Sequence, residues 1–306
     1  MRVVMYHYVR PLAADSWHRL KALDLGRFKA QLDHLARQGR FIGLKPLLAH
    51  AQGAGPPPPE DALLLTFDDG YRDHLRHVVP ELRRRGLTGV FFPPVCAVAE
   101  RNLLDVNKLH FILASGVDPV TLLAHVEAMA SDHVCDFDRD GMRRDHWKPN
   151  RFDDVDTSYL KLLLQTLLPA AARAAIVDAL FLAHVSADPR GFADELYLDQ
   201  SDLGLMLDMG MHVGGHGAQH LRLSWLPAAE QQQEAQQSAD FLRSLGVMDA
   251  DLSFCYPFGD HDEASRTAVK ATGFKLAFTT VPTPYRPGVD DCLAIPRLDT
   301  NDIAFD

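Results

Sequence analysis

Thr66-Phe67-Asp68-Asp69-Gly70 closes the apolar run Ala62-Leu63-Leu64-Leu65. The run reads as a buried strand, ended by two adjacent carboxylates just before a turn glycine and a helix. Neighbouring residues on an extended backbone face opposite sides, so one carboxylate can bind a cation while the other handles protons. The carboxyl ends of strands are where α/β barrels place their chemistry. Partners for a cation stand downstream in His216-Gly217-Ala218-Gln219-His220, where spacing i, i+4 brings two imidazoles to one side of a helix or tight turn. One carboxylate with two imidazoles makes a hydrolytic metal site that leaves room for water. The plain alternative is a turn with capping carboxylates and two unrelated loop histidines. The joint occurrence of both groups after strand signals argues against it.

Outward from this stretch the chain alternates. Residues 3–9 read as the first strand, 25–38 as a helix stopped by Gly39, 41–42 as a short strand and 44–51 as a short helix. Four consecutive prolines within residues 53–60 mark a surface loop. A helix over 73–85 and a β-rich run at 88–92 follow the Asp pair. The rhythm breaks over residues 97–207, which offer helices at 107–114, 119–130, 158–168 and 170–185 around a polar segment at 136–156. That stretch reads as an inserted helical subdomain, either a lid over the active-site face or a stabilising or dimerising insertion. Alternation resumes with strands at 211–213, 252–256, 275–279 and 293–297 and helices at 227–245 and 263–272. Such alternation predicts a parallel sheet or barrel, with residues 1–306 as one domain carrying the 97–207 insertion.

Charge and composition narrow the function. A formal charge of −10 argues against a nucleic-acid binder, which shows a basic face. Cys96, Cys135, Cys255 and Cys292 are scattered without metal or disulfide spacing, the usage expected of thiols in a reducing compartment. The opening stretch is too short and too interrupted by Tyr and His for a signal segment, and no apolar run approaches the roughly 18 residues that span a bilayer. The expectation is a cytoplasmic protein with no membrane insertion.

The two motifs together resemble those of the NodB-homology polysaccharide deacetylases, a family of metal-dependent carbohydrate esterases. Thr66 to Gly70 is similar to the family's first motif and His216 to His220 to its second, and the resemblance spans residues 1–95 and 205–300. It implies a distorted (β/α)7 barrel, to which the 97–207 stretch adds an inserted helical subdomain, and hydrolysis of an acyl group from a sugar. By the family pattern Asp69, His216 and His220 hold the divalent ion and Asp68 is the general base. Phe254-Cys255-Tyr256-Pro257-Phe258-Gly259 resembles the third motif, commonly Arg-x-Pro-Tyr, with Cys255 where the arginine is expected and Phe258 where the tyrosine is. The tyrosine contributes its backbone N–H to the oxyanion hole, a donor that Phe258 also has. The missing arginine orients the catalytic aspartate. Arg297 is the candidate substitute, with a structural salt bridge as the other reading.

The late Leu-x-His motif that supplies the family's general acid is absent after Arg297. Met5-Tyr6-His7 has the same form on the opening strand, as in the permuted branch that includes the deacetylases of poly-N-acetylglucosamine. First and last strands of a closed barrel are neighbours, so His7 is expected as the acid, against the alternative of a structural histidine. His212, His74 and His77 are expected to have structural or surface roles. Trp225, which closely follows the second motif, is the best-placed aromatic for a sugar among Trp147, Tyr197, Trp225 and Tyr285. The expected activity is metal-dependent N-deacetylation of an amino sugar, on a nucleotide- or lipid-linked precursor of an O-antigen or capsule. The rivals are hydrolysis of a small non-sugar amide and an inactive sugar-binding protein. Zinc is the expected ion, with Fe, Co, Mn or Ni compatible with the same donors.

Overall fold

The computed structural model describes residues 1–14, 16–151 and 153–303. The chain divides into two compact units, one of residues 1–11, 22–102 and 193 onward, the other of residues 12–21 and 103–192. Residues 97–102 and 193–207 of the expected insertion therefore belong to the first unit.

Among its described residues the first unit holds ten strands: β1 (Arg2–Tyr6), β2 (Val9–Arg10), β3 (Leu23–Asp24), β4 (Arg40–Phe41), β5 (Ala62–Asp68), β6 (Val90–Phe92), β7 (His212–Val213), β8 (Ser253–Cys255), β9 (Leu276–Phe278) and β10 (Leu298–Asp299). The main sheet runs β10-β1-β5-β6-β7, every neighbour parallel, with β4 added at the start of β5. A bridge between Gly215 and Phe254 carries the ring from β7 to β8, and β8 pairs with β9. A second bridge, Phe278 to Ile295, leads to the segment entering β10. Since β10 lies beside β1, the ring closes as a distorted (β/α)7 barrel.

All seven residues of β5 are buried, as parallel strands covered on both faces require. Leu63, Leu65 and Phe67 face the layer that holds Phe28, Leu32, Val79 and Leu82 of the surrounding helices. Ala62 and Leu64 face the other way, with Val90, Phe92, Cys255, Phe278 and Ile295 in the barrel interior. The period-2 alternation of a strand then sends Thr66 and Asp68 into that interior.

Several elements differ from the sequence expectation for identifiable reasons. The strand expected at 293–297 is reduced to the Ile295 bridge, with the ladder resuming at Leu298. Pro296 lacks the N–H that a continuous ladder needs. The helix expected after the Asp pair begins as a π turn at His74–Val78 and becomes α over Val79–Arg84, because Pro80 has no N–H for the usual i−4 bond. A helix at Arg139–His146 lies in the polar segment for which no helix was expected, started by Asp138, whose side chain accepts from the Gly141 N–H.

The second unit is helical. Helices Asp105–Ala114, Pro119–His133, Val155–Leu162 and Ala170–His184 bury Ile112, Val126, Leu160, Ile176 and Leu180 among themselves. Trp17 packs edge-on against Phe111 and Phe192. No single helix among the described residues is long and apolar enough to cross a membrane.

Candidate metal centre and catalytic site

β5 ends at Asp68, and the next residue turns into the left-handed region, Asp69 at φ 70° and Gly70 at φ 68°. A side chain at Gly70 would also strike Pro93, 2.8 Å from the added carbon. The turn makes the two carboxylates diverge. Asp68 stays in the barrel interior, and Asp69 is swung toward the loop that follows β7.

That loop carries the two imidazoles. Asp69 Oδ1 lies 3.5 Å from His216 Nε2 and 3.4 Å from His220 Nε2, and the three residues are buried and close enough to share one ion. His216 Nδ1 is 2.8 Å from the Cys255 carbonyl oxygen. That acceptor puts the ring proton on Nδ1 and leaves the Nε2 lone pair for a cation. Asp69 Oδ2 accepts a 2.5 Å hydrogen bond from the Tyr71 hydroxyl, so Oδ1 alone faces the imidazoles. A buried carboxylate and two buried imidazole nitrogens converging in this way fit a divalent transition metal.

The loop is held from beneath by Glu234 on the helix Ala228–Ser244. Its carboxylate accepts from the backbone N–H of Ala218 at 2.9 Å and of Gln219 at 2.9 Å. The Gly217 and Ala218 carbonyls accept from the Val95 and Cys96 N–H groups. Gly217 takes φ 74° in the tight turn, and His220 itself takes φ 55°. Among the described residues five non-glycine residues have positive φ, and Asp69, His220 and Phe258 of these lie at the site. Backbone strain concentrates where side chains must be aimed.

Asp68 occupies a different environment. Arg297 clamps it from both nitrogens, Nη1 to Oδ1 at 2.8 Å and Nη2 to Oδ2 at 2.7 Å. The guanidinium is itself fixed by the Thr279 carbonyl at 2.8 Å, Thr66 Oγ1 at 3.1 Å and Cys255 Sγ at 3.0 Å. Cys255 thus accepts from the arginine at the position where an arginine was expected, and its thiol also donates to Asp68 Oδ2 at 3.6 Å. Burial pushes the Asp68 carboxyl up, but the Arg297 charge and hydrogen bonds outweigh it and hold the group below its usual range. For Asp69 burial is outweighed by the imidazole hydrogen bonds, which hold it well below that range. Burial lowers His220, whereas for His216 burial is outweighed by Cys255 and Asp69, which raise it.

His7 follows β1 directly, and β1 pairs with β5 in a register that sets Tyr6 beside Phe67. Its Nε2 lies 3.9 Å from Asp68 Oδ2, and its side chain is 40 % exposed, so it is not a buried core histidine. Phe258 follows β8 at φ 60°, with its ring 4.9 Å from that of His220. The barrel therefore gathers Asp68, Asp69, His216, His220, His7, Arg297 and Phe258. His74 is buried with Nε2 2.9 Å from the His7 carbonyl, a structural placement. Of the aromatics considered for a sugar, Tyr197 and Tyr285 are buried, Trp147 lies in the helical unit, and Trp225 stands beside Phe258 through Arg222. Tyr71 and Glu234 were not legible as site residues. Tyr71 stands only two residues past Asp69, but Glu234 carries no local signal.

A family model described as "Polysaccharide deacetylase" matches residues 151–277. Residues 151–277, less than half of the chain, are thus similar to the polysaccharide deacetylase family. The match takes in His216, His220 and Cys255 and reaches back into residues read as insertion, whereas Asp68 and Asp69 lie outside it and join the site through the barrel. No curated protein matches by sequence. Among solved structures, the chain resembles the Streptococcus pyogenes deacetylase PplD in complex with acetate at 13 % identity and TM-score 0.59, covering 98 % of this chain and 91 % of that one. IcaB from Ammonifex degensii matches at 17 % identity and TM-score 0.58, over 98 % and 92 % of the two chains. A de-N-acetylase from Aggregatibacter actinomycetemcomitans matches at 14 % identity and TM-score 0.56, over 99 % and 96 %. At these identities the likeness concerns the deacetylase fold.

Proposed function

We propose that this carbohydrate deacetylase domain is a metal-dependent N-deacetylase of an amino sugar. The substrate is a nucleotide- or lipid-linked precursor of a surface polysaccharide such as an O-antigen or capsule. The observation that carries the reading is the convergence of Asp69, His216 and His220 with Asp68 beside them, tied to Arg297 rather than to the imidazoles. Cytoplasmic action fits the four cysteines, which are all unpaired, and precursors are the N-acylated sugars available there.

Asp69, His216 and His220 would hold a divalent ion, zinc being the expected species, which would supply polarisation of the acyl oxygen and a more acidic water. Asp68, kept ionised by Arg297, takes the proton of the attacking water. His7, within 4 Å of Asp68 on the more exposed side, donates a proton to the nitrogen as the C–N bond breaks, releasing the free amine and the carboxylate. The Phe258 N–H, on the turn beside His220, serves in this reading as donor to the oxygen where charge develops.

Acetate release and metal content test the assignment. Asp68→Asn is expected to lose acetate release while retaining metal, and Asp69→Asn to lose both. Turnover retained in both variants ends the reading.

A further inference from the structure

The loop after the second histidine makes a short 3-10 turn at Leu223–Trp225, preceded by Arg222. Residues three apart in such a turn eclipse one another, and this brings the Arg222 and Trp225 side chains together. The Arg222 guanidinium carbon stands 5.2 Å from the Trp225 ring centre and 4.3 Å from that of Phe258. The turn is tied to the loop bearing Phe258, since Asp260 accepts from the Ser224 N–H at 3.0 Å and from its hydroxyl at 2.8 Å. Trp225 is 50 % and Phe258 37 % exposed. Two loops thus present a cation braced by aromatic rings next to His220, in a chain whose net charge is −10.

A guanidinium laid on an aromatic ring keeps its plane fixed and its N–H edge aimed, the arrangement suited to an oxyanion. One aromatic ring, Phe258, separates it from His220. In a 2-acylamino sugar, one pyranose edge likewise separates the acyl group from a substituent on the neighbouring anomeric carbon. We propose that Arg222, Trp225 and Phe258 form a subsite for a phosphate carried on the sugar carbon adjacent to the acylamino group. The proposal rests on the deacetylase reading and specifies its substrate as a glycosyl phosphate or diphosphate.

N-acetylglucosamine 1-phosphate and the methyl glycoside of N-acetylglucosamine separate the possibilities, each measured for turnover and for binding by calorimetry with the zinc-loaded full chain. The phosphate form is expected to be favoured roughly tenfold in kcat/KM, the scale of one charge-assisted pair in a partly exposed site. Arg222→Ala is expected to bring the ratio of the two substrates near one, and Arg222→Lys to keep part of it. No preference in the unmodified protein, or a preference that survives Arg222→Ala in a folded variant, overturns the subsite. If neither sugar is hydrolysed but calorimetry shows an Arg222-dependent preference for the phosphate, the subsite stands and the deacetylase reading fails on these sugars.

Discussion

Arg297→Met tests the electrostatic centre of the barrel. Arg297 and Asp68 are 1 % and 2 % exposed, and two charge-assisted hydrogen bonds of 2.8 and 2.7 Å join them. Methionine fills much of the arginine's volume but leaves the carboxylate buried without its counter-charge. Removing one partner of a buried pair costs about 3–5 kcal/mol. Asp68→Asn makes the reciprocal error by leaving the guanidinium unpaired. If the two groups are coupled, the double variant costs less than the sum of the singles by about 2 kcal/mol or more. Urea denaturation of the four proteins, run with a chelator to remove any contribution from bound metal, measures this term. Acetate release by Arg297→Met is expected to fall by about 100-fold or more, the share of a positioned general base. Stabilities that add within about 0.5 kcal/mol, or near-normal turnover in Arg297→Met, refute the claim that Arg297 positions Asp68.

Three further outcomes follow from neighbouring residues. Tyr71→Phe frees Asp69 Oδ2 and is expected to weaken zinc binding about tenfold, read by competition with a chromophoric chelator; unchanged affinity refutes the hydroxyl's role. Glu234→Ala strips the acceptor from the Ala218 and Gln219 N–H groups and is expected to cost about 2–4 kcal/mol in denaturant unfolding, with Glu234→Gln losing less. Burial lowers the pKa of His212 from 6.5 to about 4. The unfolded chain therefore binds more protons between those values, so this residue's contribution to stability is lost as pH falls through that window. His212→Gln is expected to show a shallower fall in stability between pH 6.5 and 4, and an identical slope in both proteins refutes the assignment.

Local signals were enough for several elements. The strand at β5, the helix Leu44–Ala51 and the helix Glu263–Thr272 stand where the apolar run and the alternation of strand and helix set them, all properties of short windows. The Asp68-Asp69 and His216–His220 groups were equally legible, because each is contiguous and its chemistry resides in residue type. Pro296 and Pro80 displaced expected boundaries because a missing N–H acts on the ladder or helix turn that tertiary packing selects, and the apolar pattern does not show it.

By itself the sequence determined that strands alternate with helices, that two carboxylates end one strand, and that two imidazoles follow another. Only the closed barrel decided what surrounds each carboxylate. Strand parity turns Asp68 inward to Arg297, and a left-handed residue swings Asp69 to His216 and His220. Closure sets β1 between β5 and β10, so that His7 and Arg297 from opposite ends of the chain meet one carboxylate. The hydrogen bonds that tune the site, donated by Tyr71 and Cys255 and accepted by Glu234, act over 2.5–3.6 Å between residues as far as 187 positions apart. Such interactions depend on distance in space, and no pattern along the chain encodes that directly.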